Sequence, residues 1–81
     1  MAAKAKLNIQ DQFLNNLRRE KAQVTVRLTS GEEVEGVVKA FDNFCVVVKT
    51  PGNYLLLYKH AIAYIRPFEA LKKFEAIYEN F

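Results

Sequence analysis

Between residues 24 and 67 the sequence sets five short apolar segments end to end, separated by turns of only a few residues, and that brevity limits what the chain can become. Parallel strands need a crossover of about a dozen residues or more, so neighbours joined this tightly must run antiparallel. Val24, Val26 and Leu28 alternate with Thr25, Arg27 and Thr29, the period of a half-buried strand. Ser30-Gly31 reads as a turn. The second segment, about Glu33 to Phe41, carries Gly36 in its interior, where glycine usually marks a bulge or a sharp bend. Asp42-Asn43 is a second tight turn, Phe44 to Lys49 a third strand, and Thr50-Pro51-Gly52-Asn53 a third turn with two strong breakers. Tyr54 to Lys59 and Ala61 to Ile65 complete the set, broken around His60 and ended by Pro67. Strands three and four are apolar on both faces. They therefore predict cover on both sides or a place in a subunit interface, since a bare edge there would invite aggregation.

Before the strands the period is helical. Ile9, Phe13, Leu14 and Leu17 fall on one stripe with Asn15, Asn16, Arg18 and Arg19 between them, which predicts a helix from Ile9 to about Glu20. Asn8 suits the N-cap, Asp11 the positive end of the helix dipole, and Arg18, Arg19 and Lys21 the negative end. After Pro67 helical spacing returns: Phe68, Leu71, Phe74, Ile77, Tyr78 and Phe81 alternate with charged residues, which predicts an amphipathic C-terminal helix packed on its own domain or a neighbour. The expected organisation is one domain over residues 1–67, a helix followed by a strongly bent five-stranded antiparallel sheet, with a helical extension over 68–81. A chain of 81 residues buries only a small core alone, so partner subunits are a live expectation.

The net charge of +3 is segregated: +3 in residues 1–21, −2 in 22–36, +3 in 37–66 and −1 in 67–81. Such segregation suits an anionic partner. The single cysteine, Cys45, can make neither an internal disulfide nor a structural zinc site, and the default for a lone Cys inside Phe-Cys-Val-Val-Val is a small buried hydrophobe in a reducing compartment. The start Met-Ala-Ala-Lys-Ala-Lys has no apolar signal core, and the apolar runs are too short to span a bilayer. We expect a cytoplasmic protein with no membrane role. Catalysis has little to stand on: there is one His, no glycine-rich phosphate loop and no nucleophile beside a base in a recognisable motif. No enzyme activity, cofactor, metal or small-molecule substrate is expected. Tyr58-Lys59-His60, by contrast, gathers a stacking ring, a cation and an imidazole, the groups that hold a base and a phosphate.

Tyr58-Lys59-His60-Ala61-Ile62, preceded by Gln10-Asp11-x-Phe13-Leu14-Asn15-x-x-Arg18-Arg19 and by Gly31-x4-Gly36-x4-Phe41-Asp42-x-Phe44, resembles the Hfq family of bacterial Sm-like RNA chaperones. The resemblance covers Asn8 to Pro67, with one residue inserted in the turn around Pro51 and Gly52. It implies a homohexameric ring in which strand four of one subunit pairs with strand five of the next, and a non-catalytic role in pairing small regulatory RNAs with messenger RNAs. Six copies of +3 would carry +18, enough to attract RNA at long range in low salt.

The resemblance also implies three RNA surfaces. Gln10, Phe44, Lys59 and His60, with Asn43 and Tyr58 nearby, match a proximal site for uridine-rich 3′ ends. Asn15, Arg18, Arg19, Lys21 and Phe41 match a basic rim. On the distal face Gly31 and Val34 keep the pattern, but Arg27 stands where the family has a stacking Tyr, and Glu32 and Glu33 replace apolar and basic residues, with Glu35 a third acid. Arg27 is expected to pair with one of these acids across the first hairpin. The competing class is an oligomeric protein-interaction module working through the C-terminal helix, which has no need of Lys59-His60 or Arg18-Arg19.

Overall fold

The fold was analysed in a computed structural model, which describes residues 9–69 and 71. Helix α1 (Ile9–Glu20) is followed by β1 (Gln23–Leu28), β2 (Glu33–Phe41), β3 (Cys45–Lys49), β4 (Tyr54–Tyr58) and β5 (Ile62–Pro67). Asn8 and the predicted C-terminal helix lie outside the described residues, apart from Phe68, Glu69 and Leu71.

Leu14 and Leu17 bury the inner stripe of α1, whereas Ile9, expected on that stripe, stays largely exposed. The helix ends in a Schellman motif. Ala22 N–H donates to Leu17 C=O at 3.1 Å and Lys21 N–H to Arg18 C=O at 3.2 Å, which satisfies two otherwise orphaned carbonyls. The residue that turns the chain is Lys21, with a left-handed φ of 53° where glycine is usual.

The sheet order is β4-β3-β2-β1-β5, antiparallel throughout. The first hairpin closes through Leu28 N–H to Glu32 C=O at 2.8 Å and Gly31 N–H to Leu28 C=O at 2.9 Å, with Gly31 at φ 101°. β1 is more buried than its alternation suggests: Val24, Thr25 and Val26 are all inside. The strand lies between β2 and β5, so Val24 and Val26 face the core while Thr25 is flanked on the other face by its partners Glu35 and Arg66.

Of the bulge or sharp bend expected at Gly36, the irregular register falls farther along β2, between Val38 and Ala40, while the sheet is bent as expected. The constraint at Gly36 is close approach. A Cβ there would collide with the Lys49 carbonyl and lie 2.8 Å from Val48 Cγ1. Strand four stops at Tyr58 rather than Lys59, and residues Lys59–Ala61 form one 3₁₀ turn that redirects the chain into β5. That turn carries His60, the position read as a break. β5 then runs on to Pro67, and Phe68 N–H still donates to Gln23 C=O at 2.9 Å.

The core consists of Leu14, Leu17, Val24, Val26, Val38, Val46, Val48 and Leu71. Burying one such side chain contributes about 1.5–3 kcal/mol. Among the described residues both sheet edges are left unpaired, and Tyr54, Leu56 and Tyr58 of β4 and Tyr64 of β5 are exposed there. Among the described residues no helix is long and apolar enough to cross a membrane. Gly36→Ala is expected to destabilise the fold by at least about 1–3 kcal/mol, the usual cost of overpacking, because the first atom met is backbone that cannot rotate away. Urea unfolding of the variant against the natural chain measures this.

Candidate nucleic-acid interface

The turn between β2 and β3 is built by one carboxylate. Asp42 Oδ1 accepts from Phe44 N–H and from Cys45 N–H, each at 2.8 Å, while Asp42 N–H donates to Cys45 C=O at 3.0 Å. This closed Asx turn holds Phe44 out of the core, with its side chain in solvent and 73% of the residue exposed. β3 consequently starts at Cys45, one residue later than the apolar pattern predicts. Asn43 is exposed at the turn's tip.

The 3₁₀ turn after β4 is tied to the same corner. Lys59 N–H donates to Phe44 C=O at 2.7 Å, and Lys59 Nζ lies 5.8 Å from the centre of the Phe41 ring, within cation–π range. The rings of Tyr58 and His60 stack at 5.8 Å with 23° between their planes. Gln10 of α1 and Lys59 also border one cleft of about 230 Å³, walled by Phe13 and Leu14 of α1, Val46 of β3 and Ile62, Tyr64 and Ile65 of β5. Phe41, Asn43, Phe44, Tyr58, Lys59 and His60 therefore share one end of the sheet, with Gln10 reaching it from the helix. Exposed rings, amides, an ammonium and an imidazole are gathered at that end.

The basic positions on α1 form a second group. Arg18 and Arg19 are exposed on its last turn and Lys21 on its cap. Arg18 Nη2 donates to Asn15 Oδ1 at 2.6 Å, so this guanidinium is held over the helix surface rather than left to swing. Phe41, matched to this group by resemblance, is half-buried against the core under Lys59, which joins it to the proximal corner as well.

The remaining candidates lie around the first hairpin. Arg27 and Glu33 are direct cross-strand partners, and Arg27 Nη1 donates to Glu33 Oε2 at 3.1 Å, the pairing expected from sequence. Both side chains are over two-fifths exposed, so the bridge adds little stability, roughly 0–1 kcal/mol, while still engaging the guanidinium. Val34 packs half-buried against the core, and Glu32 is exposed beside Gly31. Two residues missed from sequence join this face. Tyr64 is the β5 partner of Arg27, and the Arg66 guanidinium sits 5.6 Å from the Tyr64 ring. Arg66 therefore opposes the three acids together with Arg27, and the local acidic excess is smaller than the hairpin's own sequence implies.

Asp42 was also passed over as a mere turn former. Its two backbone donors, followed by the nearby Lys59 charge, lower its pKa from the ordinary 3.8. A carboxylate with a depressed folded-state pKa contributes stability above its unfolded pKa and loses it as pH falls through the folded value. The turn should therefore weaken below about pH 4. Asp42→Asn, which keeps an acceptor oxygen but cannot titrate, should flatten the acid limb of stability between pH 5 and pH 2 relative to the natural chain, as followed by circular dichroism.

Comparison with known proteins agrees with this architecture. The family model described as "Hfq protein" matches residues 9–72. An "RNA-binding protein Hfq" of Shouchella clausii is 56% identical over 64 residues, covering 79% of this chain and 83% of that protein. The protein of that name in Caulobacter vibrioides is 44% identical over 75 residues, covering 93% and 92%. A crystal structure of "the pleiotropic translational regulator, Hfq" superposes with a TM-score of 0.71 at 36% identity, over 73% of this chain and 98% of that one. An Hfq protein from Anabaena gives 0.66 at 31%, over 72% and 93%. With the helix and bent five-stranded antiparallel sheet expected of an Sm-like fold, the chain belongs to the Hfq protein family.

Proposed function

We propose that this chain binds single-stranded RNA without changing any bond, takes uridine-rich 3′ ends at the Phe44–Lys59–His60 corner, and promotes pairing of small regulatory RNAs with messenger RNAs in the cytoplasm. The observation that carries this reading is the 2.7 Å bond from Lys59 N–H to Phe44 C=O, which locks an exposed stacking ring and the Lys59-His60 pair to one point of the backbone. Base stacking on an aromatic, with a cation for phosphate or carbonyl, is how single strands are held without reading a duplex. Relatives named RNA-binding proteins support the partner class.

A homohexameric ring is part of the same reading. Among the described residues β4 and β5 each have one edge without a hydrogen-bonded neighbour, and joining β4 of one copy to β5 of the next removes both edges at once. The exposed Tyr54, Leu56 and Tyr58 would then be covered. The rival reading, a protein-interaction module, accounts for the apolar edges but leaves the basic corner and the ordered Arg18 without a purpose. In the ring the hairpin face carrying Glu32, Glu33 and Glu35 repels phosphate, and its Arg27 is already engaged by Glu33.

Three measurements follow. Native mass spectrometry should find six chains, and Leu56→Pro, which removes an edge donor, should disperse the ring or unfold the subunit; a monomer at micromolar concentration rejects the ring. Phe44→Ala should weaken U-rich RNA by about 1–3 kcal/mol per base stacked, Lys59→Ala should also weaken it, and A-rich RNA of equal length should bind the natural chain less tightly. Unchanged U-rich affinity in both variants rejects the site, and tight A-rich binding lost on altering Arg27 or Val34 rejects the electrostatic reading of the hairpin face. Replacing Arg18 and Arg19 together by alanine should lower the salt slope of binding and slow annealing of two complementary RNAs, with an unaltered slope and rate returning them to a solvated helix end.

A further inference from the structure

An acidic side chain at the centre of a surface meant for a polyanion calls for an explanation. Asp42 is fully exposed, directly precedes the turn residues Asn43 and Phe44, and lies close enough to Lys59 for the two charges to interact. By charge alone it opposes RNA. Its geometry does something else. One oxygen, Oδ1, takes both the Phe44 and the Cys45 amide hydrogens at 2.8 Å, which fixes the backbone on either side of the Phe44 Cα. The Phe44 carbonyl so placed accepts the Lys59 amide at 2.7 Å, and the Lys59 ammonium lies over Phe41, the residue on the other side of Asp42. Ring and cation are thus two ends of one hydrogen-bonded chain that begins at the Asp42 carboxylate.

Accepting the proximal RNA site proposed above, we infer that Asp42 is its positioning residue: the carboxylate holds Phe44 and Lys59 in the relative placement that lets both engage one nucleotide, and this outweighs its repulsion of phosphate. A ring on an unanchored turn would have to be ordered at the moment of binding, and that entropy would be subtracted from the stacking energy. Asp42 touches no RNA in this account; it acts through Phe44 and Lys59.

The test is a double-mutant cycle on the intact protein, with a short oligouridine as the probe and affinities measured at moderate and at high salt. Asp42→Ala should weaken binding about five- to tenfold at both salt concentrations, although it makes the surface more positive, and should cause no further loss in a Phe44→Ala background. Asp42→Asn and Asp42→Ser, which keep an acceptor for the turn amides, should each recover most of that loss. The two conservative variants keep the test decisive if Asp42→Ala fails to assemble, because the proposal requires both to bind within about threefold of the natural chain. Tighter binding by Asp42→Ala, which removes the acceptor together with the charge, would mean that the carboxylate is only a repulsive charge and would overturn the proposal. Losses from Asp42→Ala and Phe44→Ala that simply add would overturn it too. Failure of the site itself is distinguishable: there Phe44→Ala and Lys59→Ala leave oligouridine affinity unchanged, whereas failure of the positioning role leaves both of them weakened and Asp42→Ala unaffected.

Discussion

The contact on which the rest of the structure depends is the passage of the Gly36 backbone against the carbonyl of Lys49. β2 is the longest strand, and it alone serves both halves of the sheet, pairing with β1 along its first part and with β3 along its second. For β3 to close over β2 the two backbones must come nearer than any Cβ permits. The absence of a side chain at one position therefore lets a nine-residue strand fold the sheet around Val24, Val26, Val38, Val46 and Val48. The register shift at Val38/Ala40 completes the bend. With the sheet bent, α1 caps it through Leu14 and Leu17.

The same bend sets the chemistry at one end of the molecule. β2 delivers Phe41 and Asp42 to the corner, β3 begins there, and the 3₁₀ turn after β4 returns to it because Lys59 N–H finds the Phe44 carbonyl. Three segments separated in sequence meet through main-chain hydrogen bonds, with side chains free to face outward. A surface made in this way is rigid in its backbone and open in its functional groups, which is what a stacking site for flexible single strands requires. At the first hairpin Arg27 is instead tied to a carboxylate, that of Glu33, while Arg66 lies over Tyr64 much as Lys59 lies over Phe41 at the corner.

Edge strands explain why a domain this small exposes so much apolar surface. β4 alternates half-buried Leu55 and Leu57 with exposed Tyr54, Leu56 and Tyr58, and its outer hydrogen-bonding groups have no strand neighbour among the described residues. β5 is in the same position at the far end of the sheet order. Aggregation is the usual consequence of such edges, and a closed assembly is the arrangement that satisfies both without leaving a new one.

Much of this was legible from the amino acids. The helix bounds, the five strands, their antiparallel sense and the three turns follow from periodicity, Gly and Pro placement and link length, all of which are local. That Arg27 would meet an acid across the first hairpin was legible because a tight turn dictates register on both of its sides, whereas the choice of Glu33 came from the structure. That Gln10, Phe44 and Lys59 lie towards one end of the sheet was to be expected only through a motif, since nothing in their spacing says so. What the tertiary structure alone decided is non-local: that β5 pairs with β1 and so brings Tyr64 and Arg66 beside Arg27, that Thr25 is flanked by Glu35 and Arg66, that Gly36 passes against the Lys49 carbonyl, and that the turn held by Asp42 meets the 3₁₀ turn through Phe44 and Lys59. Each depends on which strand lies next to which. Sequence encodes that through the summed burial of the whole core, and no local window contains the sum.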